Sequence, residues 1–125
     1  MREYEFRGKE IETGEWLYGY YVKEEGNNYI AHENIETHLT DYDLIDINTL
    51  GQYIGIKDKH RKKIFEGDIV LIGNTELKIC FDNSNLAYVA IRLYGSRCCL
   101  GILKDEAIEV LGNIYDNSDS VLVWG

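Results

Sequence analysis

Side chains that alternate in character with a period of two run along most of this chain, and they restrict its fold more than any other feature. In "EWLYGYYVK", Trp16, Tyr18, Tyr20 and Val22 fall on one face, while Leu17, Gly19, Tyr21 and Lys23 fall on the other. Successive side chains of a strand point to opposite faces, so the stretch predicts a strand. "EEGNN", from Glu24 to Asn28, then predicts a turn, and "YIAH" begins a return strand. Beyond Gly51 the pattern repeats. "QYIGI", "DIVLI", "ELKICF", "LAYVAIRL", "CCLGIL" and "AIEVLGNIY" read as extended, and "KDKHRKK", "GNT", "DNSN" and "YGSR" read as turns between them. Leu77, Ile79 and Phe81 form the expected apolar face of one strand, and Val89, Ile91 and Leu93 that of the next. No segment keeps a 3.6-residue apolar stripe over three turns. "KDEAIEVL" comes nearest to a helix, but its β-branched residues and the Gly that follows favour a strand. Residues 33–46 break the pattern. Their acids and threonines fit a loop with short extended pieces, or a short helix.

The fold expected from this is all-β: a small SH3-like or partly open β-barrel preceded by an N-terminal Tyr-rich β-hairpin region. A soft boundary at residues 48–51 divides the chain into a hairpin subdomain, 1–50, and a barrel-like subdomain, 51–125, or the two run together as one domain. There is no proline to mark a linker, and no repeat of fixed period.

One turn carries a mixed signal. In "EGDIV", Glu66 and Asp68 flank Gly67 in front of a β-branched run. Two carboxylates act as acid and base when a cleft pushes their pKa values apart. Here Gly67 supplies freedom for positive φ and Asp68 an acceptor for nearby backbone N–H groups, with Glu66 at the surface. Glu66, Gly67 and Asp68 are therefore expected as a structural turn.

Charge narrows the functional classes. The 125 residues include 22 Asp and Glu against 13 Lys and Arg, a net charge of -9. A free-standing duplex-DNA binder presents a basic face, so nucleic acid is not the expected partner. The single basic cluster is Lys57, Lys59, His60, Arg61, Lys62 and Lys63. It reads as a solvated hairpin tip, or as a loop that meets phosphates or an acidic protein patch. The acidic balance serves solubility, and it also fits a protein that mimics nucleic acid and occupies a basic groove. Trp16, Tyr18 and Tyr20 are expected first as core, then as a subunit interface, and last as a base-stacking platform.

Other chemistry finds little footing. His32, His38, Asp41, Asp43 and Asp46 match neither zinc nor calcium ligand spacing, so no metal and no cofactor are expected. The 3 cysteines make no disulfide framework. Cys98 and Cys99 lie beside Arg97, but neighbours on a strand face opposite ways, so a structural role is expected of both. No nucleophile elbow, P-loop or dinucleotide fingerprint occurs. The first residues, "MREYEFRGKE", contain no apolar leader and no stretch reaches the ~20 apolar residues of a membrane span, which points to the cytoplasm.

"YEFRGK", "GEWLYGYYV", "GQYIGIKDK", "KIFEGDIV" and "EVLGNIYDN" occur in this order. Together they resemble the YopX family of phage and prophage proteins, from residue 2 to about residue 117. The resemblance implies a small β-rich, barrel-like protein that forms homo-oligomers, and it brings no catalytic residues. Where the family places an Asn-Gly-type turn after "KDK", this chain has His60 and Arg61, so a non-glycine residue must take any left-handed position there. The expected function is that of a non-enzymatic, self-associating module that binds a host or phage protein.

Overall fold

The structure, a computed structural model, describes residues 5–83, 86–91, 97–99 and 108–116, with side chains for all but 97–99. Ten strands form among them: β1 (Phe6–Glu10), β2 (Trp16–Glu24), β3 (Asn27–Glu33), β4 (Thr40–Lys57), β5 (Lys63–Phe65), β6 (Asp68–Ile72), β7 (Thr75–Asp82), β8 (Ala87–Ile91), β9 (Arg97–Cys99) and β10 (Ile108–Asn113). The chain is all-β, with no helix among the described residues, and its sheets curl into a small, partly open barrel architecture. No helix there is long and apolar enough to cross a membrane. The chain divides into two units, Met1–Tyr53 and Ile54–Gly125.

Unit 1 is built on the Tyr-rich hairpin of β2 and β3, in register Tyr20 to Ala31 and Val22 to Tyr29. β4 adds to β3, with Ala31 opposite Tyr42 and Tyr29 opposite Leu44. β1 then pairs with β2 on one side and with β4 on the other, Phe6 lying opposite both Gly19 and Gln52. Four strands thus close into a ring. Residues 40–46, expected in a loop or short helix, are instead the first part of one 18-residue strand that also contains "QYIGI". The ring requires this continuity: the start of β4 serves β3 and its middle serves β1. Ile30 and Ile45 are buried in unit 1. At Gly19, next to the start of the β2–β3 ladder, the β3 backbone lies close to β2. A Cβ there would lie 2.1 Å from the Ala31 carbonyl oxygen and 3.3 Å from Ile30 Cγ2.

Unit 2 carries an antiparallel sheet in the order β10-β6-β7-β8-β9. Ile64, Val70, Leu77, Ile79, Ala90 and Ile108 form its buried cluster. Of the three residues expected to share a face on β7, Leu77 and Ile79 are buried. Phe81 reaches the surface, packed edge-on to Tyr88 with ring centroids 5.2 Å apart. Val89 is buried as expected and Ile91 half-buried. Leu93, Ser84 and Asn85 of "DNSN", residues 94–96 of the "YGSR" turn and the run from Leu100 to Leu103 lie outside the described residues. In the backbone, Cys98 and Cys99 stand opposite Ala90 and Val89; their side chains are outside the description.

The "EGD" turn opens β6. Gly67 has φ 93°, its N–H donates to the Ile79 carbonyl at 2.9 Å, and its carbonyl accepts from Ile114 N–H at 3.0 Å. Asp68 is buried and its Oδ2 accepts from Phe65 N–H at 2.8 Å. Glu66 is half-buried rather than fully exposed. A Cβ on Gly67 would come within 2.9 Å of the Tyr115 ring. Gly67→Ala combines a left-handed backbone with that crowding, and the expected loss is about 2 kcal/mol. Urea unfolding checks this; an unchanged midpoint would mean that the turn relaxes freely.

Candidate functional site

Residues directly opposite one another in antiparallel strands share a face of the sheet. The register of unit 1 therefore sorts its side chains. Tyr21, Ile30 and Asp43 share one face, and Tyr20, Ala31 and Tyr42 share the other. Ile30 is buried, so the first face is the inner one. Tyr20 and Tyr42 stand on the outer face, 67% and 59% exposed, on either side of the small Ala31. Tyr18, 46% exposed, continues the row along β2. Val22, Tyr29 and Leu44 form the next row on the same face. The expectation that Tyr18 and Tyr20 fill the core does not hold. Leu17, Gly19 and Tyr21 turn inward instead, because close strand approach demands the glycine on the inner side.

Trp16, at the β1 end of this face, is half-buried under cations. The guanidinium carbon of Arg7 lies 4.6 Å from the ring centroid, and Lys9 Nζ lies at 5.4 Å. Both distances are within the reach of a cation–π contact. Glu24 and Glu33 lie on the same face, two residues beyond Val22 and Ala31, and both are exposed. The tyrosines are thus edged by carboxylates at the two strand ends.

The inner face at this end of unit 1 is polar. His32 Nε2 lies 2.6 Å from Asp43 Oδ2, and Asn34 donates to Asp41 Oδ2 at 3.0 Å. On the outer side, Asp46 accepts from the Asn48 N–H at 3.0 Å, and the exposed His38 faces Glu33 at 3.3 Å. His32, His38, Asp41, Asp43 and Asp46 are spread over these separate contacts. Among the described residues no three His, Cys, Asp or Glu side chains converge as metal ligands. An open groove of about 560 Å³ runs along the β1–β4 seam, lined by Lys9, Glu10, Ile11, Ile45, Asp46 and Ile47 among others.

The basic turn is organised around an acid. Asp58 is only 2% exposed. Its Oδ1 accepts from His60 N–H at 2.9 Å and Lys62 N–H at 2.8 Å, and its Oδ2 accepts from Val110 N–H at 3.0 Å. Burial alone would push this carboxyl up. The bonds from Val110, Lys62 and His60, with the nearby His60 charge, outweigh it and hold the carboxyl below its ordinary value of 3.8. Lys59 donates its N–H to the Ile108 carbonyl, and its ammonium pairs with Glu109 at 3.1 Å. Arg61 takes the left-handed position, φ 65°, that the departure from an Asn-Gly turn requires. Lys59, His60, Arg61 and Lys62 are exposed, whereas Lys57 and Lys63 are half-buried in the flanking strands. The turn between β4 and β5 is tied to β10, and its charge is partly offset from within.

The charge is divided unevenly between the units. Unit 1 holds 12 acidic and 4 basic residues, net -8; unit 2 holds 10 and 9, net -1. A count along the sequence could have found this, but only a boundary gives the count its meaning.

The sequence matches the family described as YopX protein over residues 5–121. Among solved structures, the crystal structure of protein EF1440 from Enterococcus faecalis is similar, with a TM-score of 0.61 and 19% identity, covering 97% of this chain and 99% of that one. At that identity the likeness concerns the fold. No curated protein matches this chain.

Proposed function

This chain belongs to the YopX protein family, and from that premise we propose that it is a non-enzymatic module that binds proteins, copies of itself included, through the outer face of β2, β3 and β4. The observation that carries the reading is the group of Tyr18, Tyr20 and Tyr42, on one outer face around the small Ala31 and open to solvent on regular strands. Tyrosine brings large contact area with few rotatable bonds, and it is enriched where proteins meet. An outward-facing aromatic surface of a sheet suits a protein surface better than a small substrate, which calls for a concave pocket. The family resemblance adds a phage or prophage setting, in which the partner is a host or phage protein.

Self-association draws on the uneven charge. The Lys57–Lys63 turn of one copy complements the acidic unit 1 of another. Sedimentation velocity tests this. The wild-type chain is expected to run heavier than a monomer at low salt and to dissociate as salt rises, while Tyr20→Ser/Tyr42→Ser runs as a monomer throughout. A wild-type monomer at low salt would refute the self-associating part.

The nucleic-acid reading of the turn has weaker support, because Asp58 sits bonded inside it and Lys59 is engaged by Glu109. Phosphate binding is strongest at low salt, so oligonucleotides are expected not to bind even there, as fluorescence anisotropy would show.

A further inference from the structure

The tyrosine face has a chemistry that selects its occupant. We propose that it receives a lysine- and arginine-rich segment of another protein, an inference that rests on the reading of this face as a binding surface. Three observations converge on a cationic partner. The first is charge: unit 1 carries net -8, and Glu24 and Glu33 edge the face itself. The second is the aromatic rings, whose π-faces attract guanidinium and ammonium groups. The third is Trp16, which shares the face and already holds Arg7 and Lys9 within 5.4 Å of its ring. The fold therefore uses this recognition within itself, at the β1 end. Tyr20 and Tyr42 offer the same kind of surface further along, with far greater exposure.

A second copy satisfies this chemistry less well. Face against face, two copies would set net -8 against net -8. The chain's own cationic turn can dock instead, but each copy so added brings another net charge of -9. A basic partner removes charge with every contact. It also matches the geometry: an extended segment laid across β2, β3 and β4 would place one cation near Tyr20 and another near Tyr42, with Glu24 and Glu33 on either side of its path along the strands.

The test is titration of the full chain with a short arginine-rich peptide, followed by backbone amide shifts in NMR, with a glutamine-substituted peptide as control. The expected shifts cluster on Tyr20, Ala31 and Tyr42. Affinity is expected to fall about tenfold or more in Tyr20→Ser/Tyr42→Ser, to fall in Glu24→Gln/Glu33→Gln, and to weaken steeply with salt. All four side chains are exposed, so circular dichroism should show both variants folded. Absence of binding at low salt overturns the inference, as do shifts spread over the carboxylates that the serine variant leaves unchanged. If the peptide fails while sedimentation still shows an oligomer sensitive to the serine variant, the occupant is a second copy and the basic partner is refuted alone. If both fail, the face is not a binding surface.

Discussion

Asp58→Ala is expected to destabilise the protein by about 2–4 kcal/mol, because three part-buried N–H groups lose a charged acceptor at once. Those donors belong to His60, Lys62 and Val110, so the variant loosens the basic turn and removes one of its ties to β10 at the same time. Asp58→Asn keeps one oxygen but turns an amide donor toward a backbone donor, and about 1–3 kcal/mol should be lost. The acid response follows from the depressed carboxyl. A group with a lower pKa in the folded state contributes stability that is fully present above its unfolded value, here near 3.8, and is lost as pH falls through the folded value. Urea unfolding of the wild type should therefore show a falling midpoint below about pH 4, and Asp58→Asn should flatten that fall. Equal midpoints for wild type and Asp58→Ala at neutral pH would show that the turn does not depend on this acid.

Gly19→Ala is the second large effect. The added methyl would meet the Ala31 carbonyl oxygen at 2.1 Å and its carbon at 3.1 Å, and these are backbone atoms. A side chain could rotate aside, but a carbonyl in a ladder cannot. β2 and β3 must separate, and the cost should lie near the upper end of overpacking, about 3 kcal/mol. Hydrogen exchange should report lost protection in β2 and β3 first, with weaker binding at the outer tyrosines as their spacing changes. Undiminished protection at Tyr20 and Ala31 would contradict the close approach.

These two positions also show what can be read from the chain without its structure. Gly67 announced itself, since a glycine between acids before "DIV" has few other uses. Alternation located β2, β7 and β8, and short apolar runs bounded by turn residues located β6 and β10. Alternation did not reveal which face of β2 turns inward. Trp16, Tyr18 and Tyr20 form the more hydrophobic row, yet the inner row is Leu17, Gly19 and Tyr21, chosen by a strand contact that only pairing exposes. The same inversion hid the start of β4. In "DYDL" the acids face Asn34 and His32 on the inner side, while Tyr42 and Leu44 face out. Acidic residues in alternation look like a loop when they are assumed to seek water. Asp58 was invisible for a related reason: amid six cations it reads as one more surface charge, whereas its partners are backbone N–H groups supplied from the turn and from β10.

The ring of unit 1 also sets an order of events at synthesis. β2 and β3 are neighbours along the chain and can pair as soon as both emerge. β1 cannot find its second neighbour until the middle of β4 has left the ribosome, since Phe6 waits for Gln52. At ~5–20 residues per second, the earliest strand spends seconds with one side unclosed. A chain stalled within β4 would hold a hairpin with its aromatic residues in place and its N-terminal strand half-paired. Protease sensitivity of nascent chains arrested before and after Gln52 should then change abruptly, so that the first half of the protein is protected or lost as a single piece.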